Sequence, residues 1–200
     1  VKIPAAFLLL ALAAPVPALA QDVTEPATGV RFAARADDMS LLGVGLRTRT
    51  MFKVKVYAIG LYVADSALSG PLAAHKGKTA APAFYRDLVE GDFPKQVVLK
   101  FVRDLGQETI QEAMRSALAG ANKSRVDAFV SYFPVIKSGQ ECLLRWAPGG
   151  TLETTIAGQA KPPIADKAFA AALFSVWLGP RPLQEDIKRG LASRAPELIQ

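Results

Sequence analysis

Arg47 and Tyr57 are the side chains best placed for chemistry in this 200-residue sequence. Arg47 closes the run Gly43-Val44-Gly45-Leu46-Arg47, which alternates with period two: Gly43, Gly45, Arg47 and Arg49 share one strand face, and Leu42, Val44 and Leu46 the other. Tyr57 sits in a second alternating run, on the side of Lys53, Lys55, Ile59, Leu61 and Val63. A hairpin turning near Thr50-Met51 projects Arg47 and Tyr57 from the same sheet face. A guanidinium offers a planar fork of donors that matches a carboxylate or phenolate, and a phenol adds a directional hydroxyl. In a partly apolar pocket that pair fixes the head of an amphipathic anion. The competing reading is a solvated charge and an ordinary strand aromatic, both common on half-exposed sheets.

Other chemistries have less to work with. One Cys and one His exclude an intrachain disulfide framework, a zinc finger and a di-histidine metalloprotease, and no cofactor or metal is expected. Cys142 lies in the apolar Glu141-Cys142-Leu143-Leu144 and is expected to pack as a small hydrophobe. His75 falls in a loop-like segment, and without a Gly-x-Ser-x-Gly elbow there is no support for a Ser-His-Asp site. Gly43-x-Gly45 is not a dinucleotide fingerprint, because position 48 is Thr and no helix follows. These glycines instead leave room for a ligand or another backbone to come close.

The elements that must position these residues follow from periodicity. A polar arm at 21–29 precedes a short strand at 30–36 and the hairpin over 41–63. Small residues, Gly70-Pro71 and Pro82 mark 66–82 as loop or irregular helix. A third strand runs over 96–103. The spacing of Ile110, Ala113, Met114, Ala117 and Leu118 then predicts an amphipathic helix, and Val126, Phe129, Val130 and Phe133 a second, ending before Pro134. Strands at 140–147 and 151–157 flank Pro148-Gly149-Gly150, with Gly158-Gln159 closing the second. Asp166 caps a helix through Leu178 with Gly179 in a left-handed stop position, and Leu183, Ile187 and Leu191 mark a last helix. Strands clustered in hairpins, with helices between the clusters, predict one α+β domain built on an antiparallel sheet.

At 50% hydrophobic and 21% charged, the composition excludes a disordered, collagen-like or coiled-coil chain. The net charge of +6 is dispersed, with no basic-aromatic pattern, so no nucleic-acid partner is expected. Lys2, the apolar stretch at 5–14 and Ala18-Leu19-Ala20 before Gln21 read as a signal peptide over 1–20, cleaved after Ala20. The run is too short to span a bilayer of ~30 Å, no second apolar segment follows, and the exported domain is expected over 21–200 without a transmembrane segment.

Gly43-Val44-Gly45-Leu46-Arg47, followed by Phe52-Lys53-Val54-Lys55-Val56-Tyr57-Ala58-Ile59-Gly60-Leu61-Tyr62-Val63, resembles the signature of chalcone isomerase-like proteins. The resemblance continues through Pro94-Lys95-Gln96-Val97-Val98-Leu99-Lys100-Phe101, Pro148-Gly149-Gly150-Thr151 and Phe174-Ser175-Val176-Trp177-Leu178-Gly179, and is greatest to the exported bacterial branch. It implies an open-faced β-sandwich, a large antiparallel sheet with helices on one side and a ligand cleft between, and a periplasmic location. Plant chalcone isomerases close a flavanone ring by attack of a phenolate on an enone, and Arg47 matches the Arg that holds the oxyanion. A Thr that polarises the ketone through water aligns with Tyr57, the catalytic Tyr falls near Thr109, and the pocket Asn near Ser116. Arg47 with Tyr57 instead resembles the fatty-acid-binding branch, in which such a pair holds the carboxylate. The resemblance therefore implies a non-catalytic binder of a small amphipathic anion such as a fatty acid, with Arg47, Tyr57 and Thr109 as ligand-binding residues. Two alternatives stand beside it: an intramolecular lyase with Arg47 as oxyanion stabiliser, and a structural or interaction module with an empty cleft.

Overall fold

The computed structural model describes residues 21–49 and 52–200. The leader read at 1–20 and the turn residues Thr50 and Met51 lie outside the described residues. The polar arm closes on itself: strand β1 (Val23–Thr24) pairs antiparallel with β2 (Arg31–Phe32). Glu25 ties the loop between them by accepting from the backbone N–H of Ala27 at 3.1 Å and Thr28 at 2.9 Å. Seven further strands form one antiparallel sheet in sequence order: β3 (Arg35–Ala36), β4 (Met39–Arg49), β5 (Val54–Ala64), β6 (Lys95–Phe101), β7 (Glu141–Ala147), β8 (Thr151–Ile156) and β9 (Gln159–Ala165). Helices occupy the longer connections and the C-terminus: α1 (Asp65–Ser69), α2 (Pro82–Glu90), α3 (Gln107–Ala117), α4 (Lys123–Ser131), α5 (Lys167–Leu178), α6 (Glu185–Leu191) and α7 (Ala195–Leu198). This is the α+β architecture that the clustered strands predict.

β5 is the centre of the core, buried at every position from Val56 to Ala64. Its alternate side chains meet different layers. Phe32 from β2 lies over Gly60, and Tyr62 donates its hydroxyl to the Ala33 carbonyl at 3.0 Å, so the N-terminal arm covers one face. Tyr57, by contrast, meets Trp177 of α5. The sandwich is thus closed on the arm side over β5.

The structure departs from the sequence reading at several places. α2 emerges from a segment beginning with Pro82, which stands at the first helical position, where a missing N–H costs nothing. Its Phe84, Tyr85, Leu88 and Val89 are buried. The sheet does not end at Gly158-Gln159: β9 follows, containing Pro162 and Pro163. It is an edge strand, and its register shift against Leu152 to Thr154 of β8 lies where the prolines withhold N–H groups. Gly179 has φ −68° and ψ −178°, so it is not a left-handed stop; a Cβ there would lie 2.2 Å from Ser175 Oγ. Leu183 precedes α6 and is 37% exposed.

One buried cation was not legible as such. Lys95 at the start of β6 is fully buried, and its Nζ donates to the carbonyls of Val89 at 3.1 Å and Gly91 at 2.8 Å, at the C-terminal end of α2. The ammonium lies 4.0 Å from the centroid of the Trp146 ring. Burial pushes its pKa down to about 7, opposed by the nearby Asp92 carboxylate. Asp92 in turn accepts from Trp146 Nε1 at 3.2 Å and from the Gly149 N–H at 2.9 Å.

Candidate functional site

The register of β4 against β5 sets Arg47 directly opposite Tyr57, as the period-two reading requires. Tyr57 is in turn opposite Phe101 on β6, the two rings meeting edge to face at 5.7 Å. A register shift follows at once: Arg47 pairs with Tyr57 but Thr48 with Lys55, leaving Val56 as the extra residue of a bulge. The consecutive residues Val56 and Tyr57 accordingly both line one cleft, which a regular strand would not allow. That cleft, about 620 Å³, opens between this part of the sheet, α3, the end of α5 and residues 181–183. Phe101, Leu105, Ile110, Met114 and Val176 give it an apolar body.

At its polar end the anchors are held by the C-terminal segment. Trp177 on α5 donates its indole N–H to the Tyr57 hydroxyl oxygen at 3.0 Å, a buried contact. Arg47 Nη1 donates to Gln184 Oε1 at 2.8 Å. The same oxygen accepts from the Thr48 N–H at 3.0 Å, while Gln184 Nε2 donates to Thr48 Oγ1 at 3.2 Å. Burial pushes the Tyr57 pKa up to about 12, only partly offset by the Trp177 hydrogen bond and the Arg47 charge, so the phenol keeps its proton at neutral pH. Burial also lowers the Arg47 pKa, with Tyr57 opposing and Arg49 adding repulsion, yet a guanidinium remains charged. The result is a cationic fork beside a neutral O–H donor, at one end of a cleft with an apolar body.

The glycines of the Gly43-x-Gly45 pair resolve the choice between ligand and backbone in favour of backbone. A Cβ on Gly43 would lie 2.1 Å from the Gly190 carbonyl oxygen, and one on Gly190 would lie 2.4 Å from that of Val44. β4 and α6 are packed main chain to main chain, which carries Gln184, just before α6, to Arg47.

Thr109 and Ser116, on α3, line the same cleft from its exposed side. Cys142 is fully buried in β7, and burial pushes its thiol up to about 12, the state of an inert packing residue. His75 lies in a short 3-10 turn, paired with Asp87 at 2.8 Å, and does not line the cleft. The sequence reading assigns neither Trp177 nor Gln184 a role at the site. An indole N–H buried on a helix is a signal that an acceptor must exist, but not which one. Among the described residues, no His, Cys, Asp and Glu group could hold a metal, and no helix is long and apolar enough to cross a membrane.

Comparison with known proteins gives a consistent picture. A family described as chalcone isomerase-like matches residues 26–192. The chain is similar to a chalcone–flavanone isomerase of Phaseolus vulgaris, 29% identical over 202 residues and covering 88% of each chain. It is also similar to fatty-acid-binding protein 1 of Arabidopsis thaliana, 25% identical over 203 residues, 89% of this chain and 72% of that one. A crystal structure of an Arabidopsis thaliana fatty-acid-binding protein superimposes with a TM-score of 0.76 at 22% identity, over 90% of this chain and 99% of that one.

Proposed function

Because the chain belongs to the chalcone isomerase-like family, we propose that it is an exported, non-catalytic binder of a small amphipathic anion such as a fatty acid. The observation that carries this reading is the pair of aligned donors, Arg47 and Tyr57, at the head of a cleft with an apolar body. Tyr57 already accepts from Trp177, so its own hydrogen is left to donate. An anionic head group between Arg47 and Tyr57 accepts from both, and an acyl chain fills the cleft, each buried methylene contributing about 0.8 kcal/mol. The similarity to a fatty-acid-binding protein supports the same reading. Thr109 contacts the ligand from α3, away from the acid group.

The second reading, an intramolecular lyase, is favoured by the similarity to chalcone–flavanone isomerases. In it Arg47 stabilises a phenolate or enolate oxyanion. Thr109 at the place of the catalytic Tyr and Ser116 at that of the Asn weigh against it, since neither offers the same donor reach. A third reading, a structural or interaction module with an empty cleft, would be supported by side chains filling that space, and the open volume of about 620 Å³ does not supply that support.

The proposal includes export to the periplasm with residues 1–20 as a cleaved leader. Mass spectrometry of a lipid extract from protein purified out of that compartment is expected to show a bound acid, and Arg47→Ala to release it. Chain lost from the periplasmic fraction, or the same lipid content in wild type and Arg47→Ala, overturns the corresponding part. Turnover of chalcone above the solvent rate would instead favour the lyase.

A further inference from the structure

We propose that Trp177 and Gln184 are positioning residues that set the head-group specificity of the cleft, a proposal that rests on the anion-binding reading above. Neither has to touch the ligand; each acts by consuming one of the hydrogen-bonding options of an anchor. Trp177 Nε1 donates to Tyr57 at 3.0 Å, and an indole N–H is a donor only. The Tyr57 oxygen is thereby occupied as an acceptor, and its hydrogen is the group left for a ligand. Arg47 is a donor with no acceptor of its own, so it cannot take that hydrogen.

Gln184 does the complementary work at Arg47. Its Oε1 holds Nη1 at 2.8 Å and the Thr48 N–H at 3.0 Å, while its Nε2 is anchored on Thr48 Oγ1 at 3.2 Å. The amide is thus fixed at both ends, and Nε and Nη2 of Arg47 remain without a partner among the described residues. Between the two anchors these devices leave only donors, one phenolic O–H and one edge of a guanidinium, while the acceptors that line the cleft, Glu112, Thr109 and Ser116, stand on α3. A carboxylate presents only acceptors and matches that donor pair. An alcohol or amine of the same chain length brings a hydrogen that finds no acceptor between Arg47 and Tyr57, which is the costlier mismatch in a desolvated site. Trp177 stands in the last turn of α5 and Gln184 just before α6, so specificity is carried by the C-terminal segment that β4 holds through its glycines.

The test is calorimetric titration of wild type, Trp177→Phe, Gln184→Leu and Gln184→Glu with laurate and with 1-dodecanol. Wild type is expected to prefer laurate. Trp177→Phe frees the Tyr57 oxygen to accept, so laurate weakens several-fold while dodecanol holds or tightens. Gln184→Leu releases Arg47 and weakens laurate several-fold with little effect on dodecanol. Gln184→Glu, which places a competing carboxylate on Arg47, weakens laurate still more. Gln184 is only half-buried, so its variants keep the test valid should Trp177→Phe fold poorly. A preference for laurate that survives in the variants, or an equal loss of both ligands, overturns the positioning role and leaves the anion-binding reading intact. Equal binding of both ligands by wild type overturns the specificity and the anion reading together, and binding of neither removes the lipid-binding reading itself.

Discussion

Lys95 shows how a single side chain links burial to pH. Its pKa of about 7 in the folded protein lies well below the value near 10.4 of an exposed lysine. Between those values the unfolded chain binds more protons than the folded one, so the free energy of unfolding rises with pH. The cost of burying the cation is fully present below pH 7 and relieved as pH climbs through the window. Urea unfolding at pH 7 and pH 9 is expected to show wild type gaining stability, at up to about 1.4 kcal/mol per pH unit from this group. Lys95→Met is expected to lose that slope; an unchanged slope would show that another group titrates. At pH 7 the variant still forfeits two hydrogen bonds, because the carbonyls of Val89 and Gly91 lose their donor. The comparison of pH 7 with pH 9 stops short of the tyrosines, since Tyr57 and Tyr62 are raised from about 10 to about 12 and contribute only between those values.

At the scale of elements, the joint between β4 and α6 governs the site. Gly43→Ala places a Cβ 2.1 Å from the Gly190 carbonyl oxygen, which backbone cannot yield without moving the helix. Destabilisation of about 1–3 kcal/mol is expected from such overpacking, with weaker laurate binding because Gln184 moves with α6. Gly120→Ala is the control: nothing lies within 4 Å of its Cβ, and an effect within about 0.5 kcal/mol is expected. Chemical unfolding and calorimetry on the two variants decide the matter, and equal behaviour would remove the joint from the account. This joint also marks how far the sequence could be read. Strict alternation made the shared face of Arg47 and Tyr57 legible, because parity along a strand is a local property. The bulge at Val56 was not, since its cause lies in the pairing of two strands. β9 was hidden because two prolines argue against a strand unless it is known to be an edge, which is a fact of topology.

For the whole molecule, the cleft is lined by three parts of the fold at once: the sheet, α3 and the end of α5. A ligand that touches all of them binds the folded state alone and stabilises it by mass action. At a hundredfold excess over Kd, laurate is expected to raise Tm by roughly 5–10 °C, and Arg47→Ala to abolish most of that rise at the same concentration. Differential scanning calorimetry checks it, and equal shifts in both proteins would assign the gain to non-specific contact. The α+β class was legible because each strand pairs with its neighbour in the chain, so hairpin signals sum directly to the sheet. The site was only half legible: the anchors are ten residues apart on β4 and β5, while Trp177 is 120 residues from Tyr57 and Gln184 is 137 from Arg47.

That separation has a consequence in time. Synthesis delivers a chain N-terminus first, and a sheet whose strands pair in order can grow as it emerges. Its last strand is in hand at Ala165, before either Trp177 or Gln184 has appeared. A nascent chain therefore acquires its scaffold before its grip on a ligand, and a product cut short after β9 would carry Arg47 and Tyr57 with nothing to aim them.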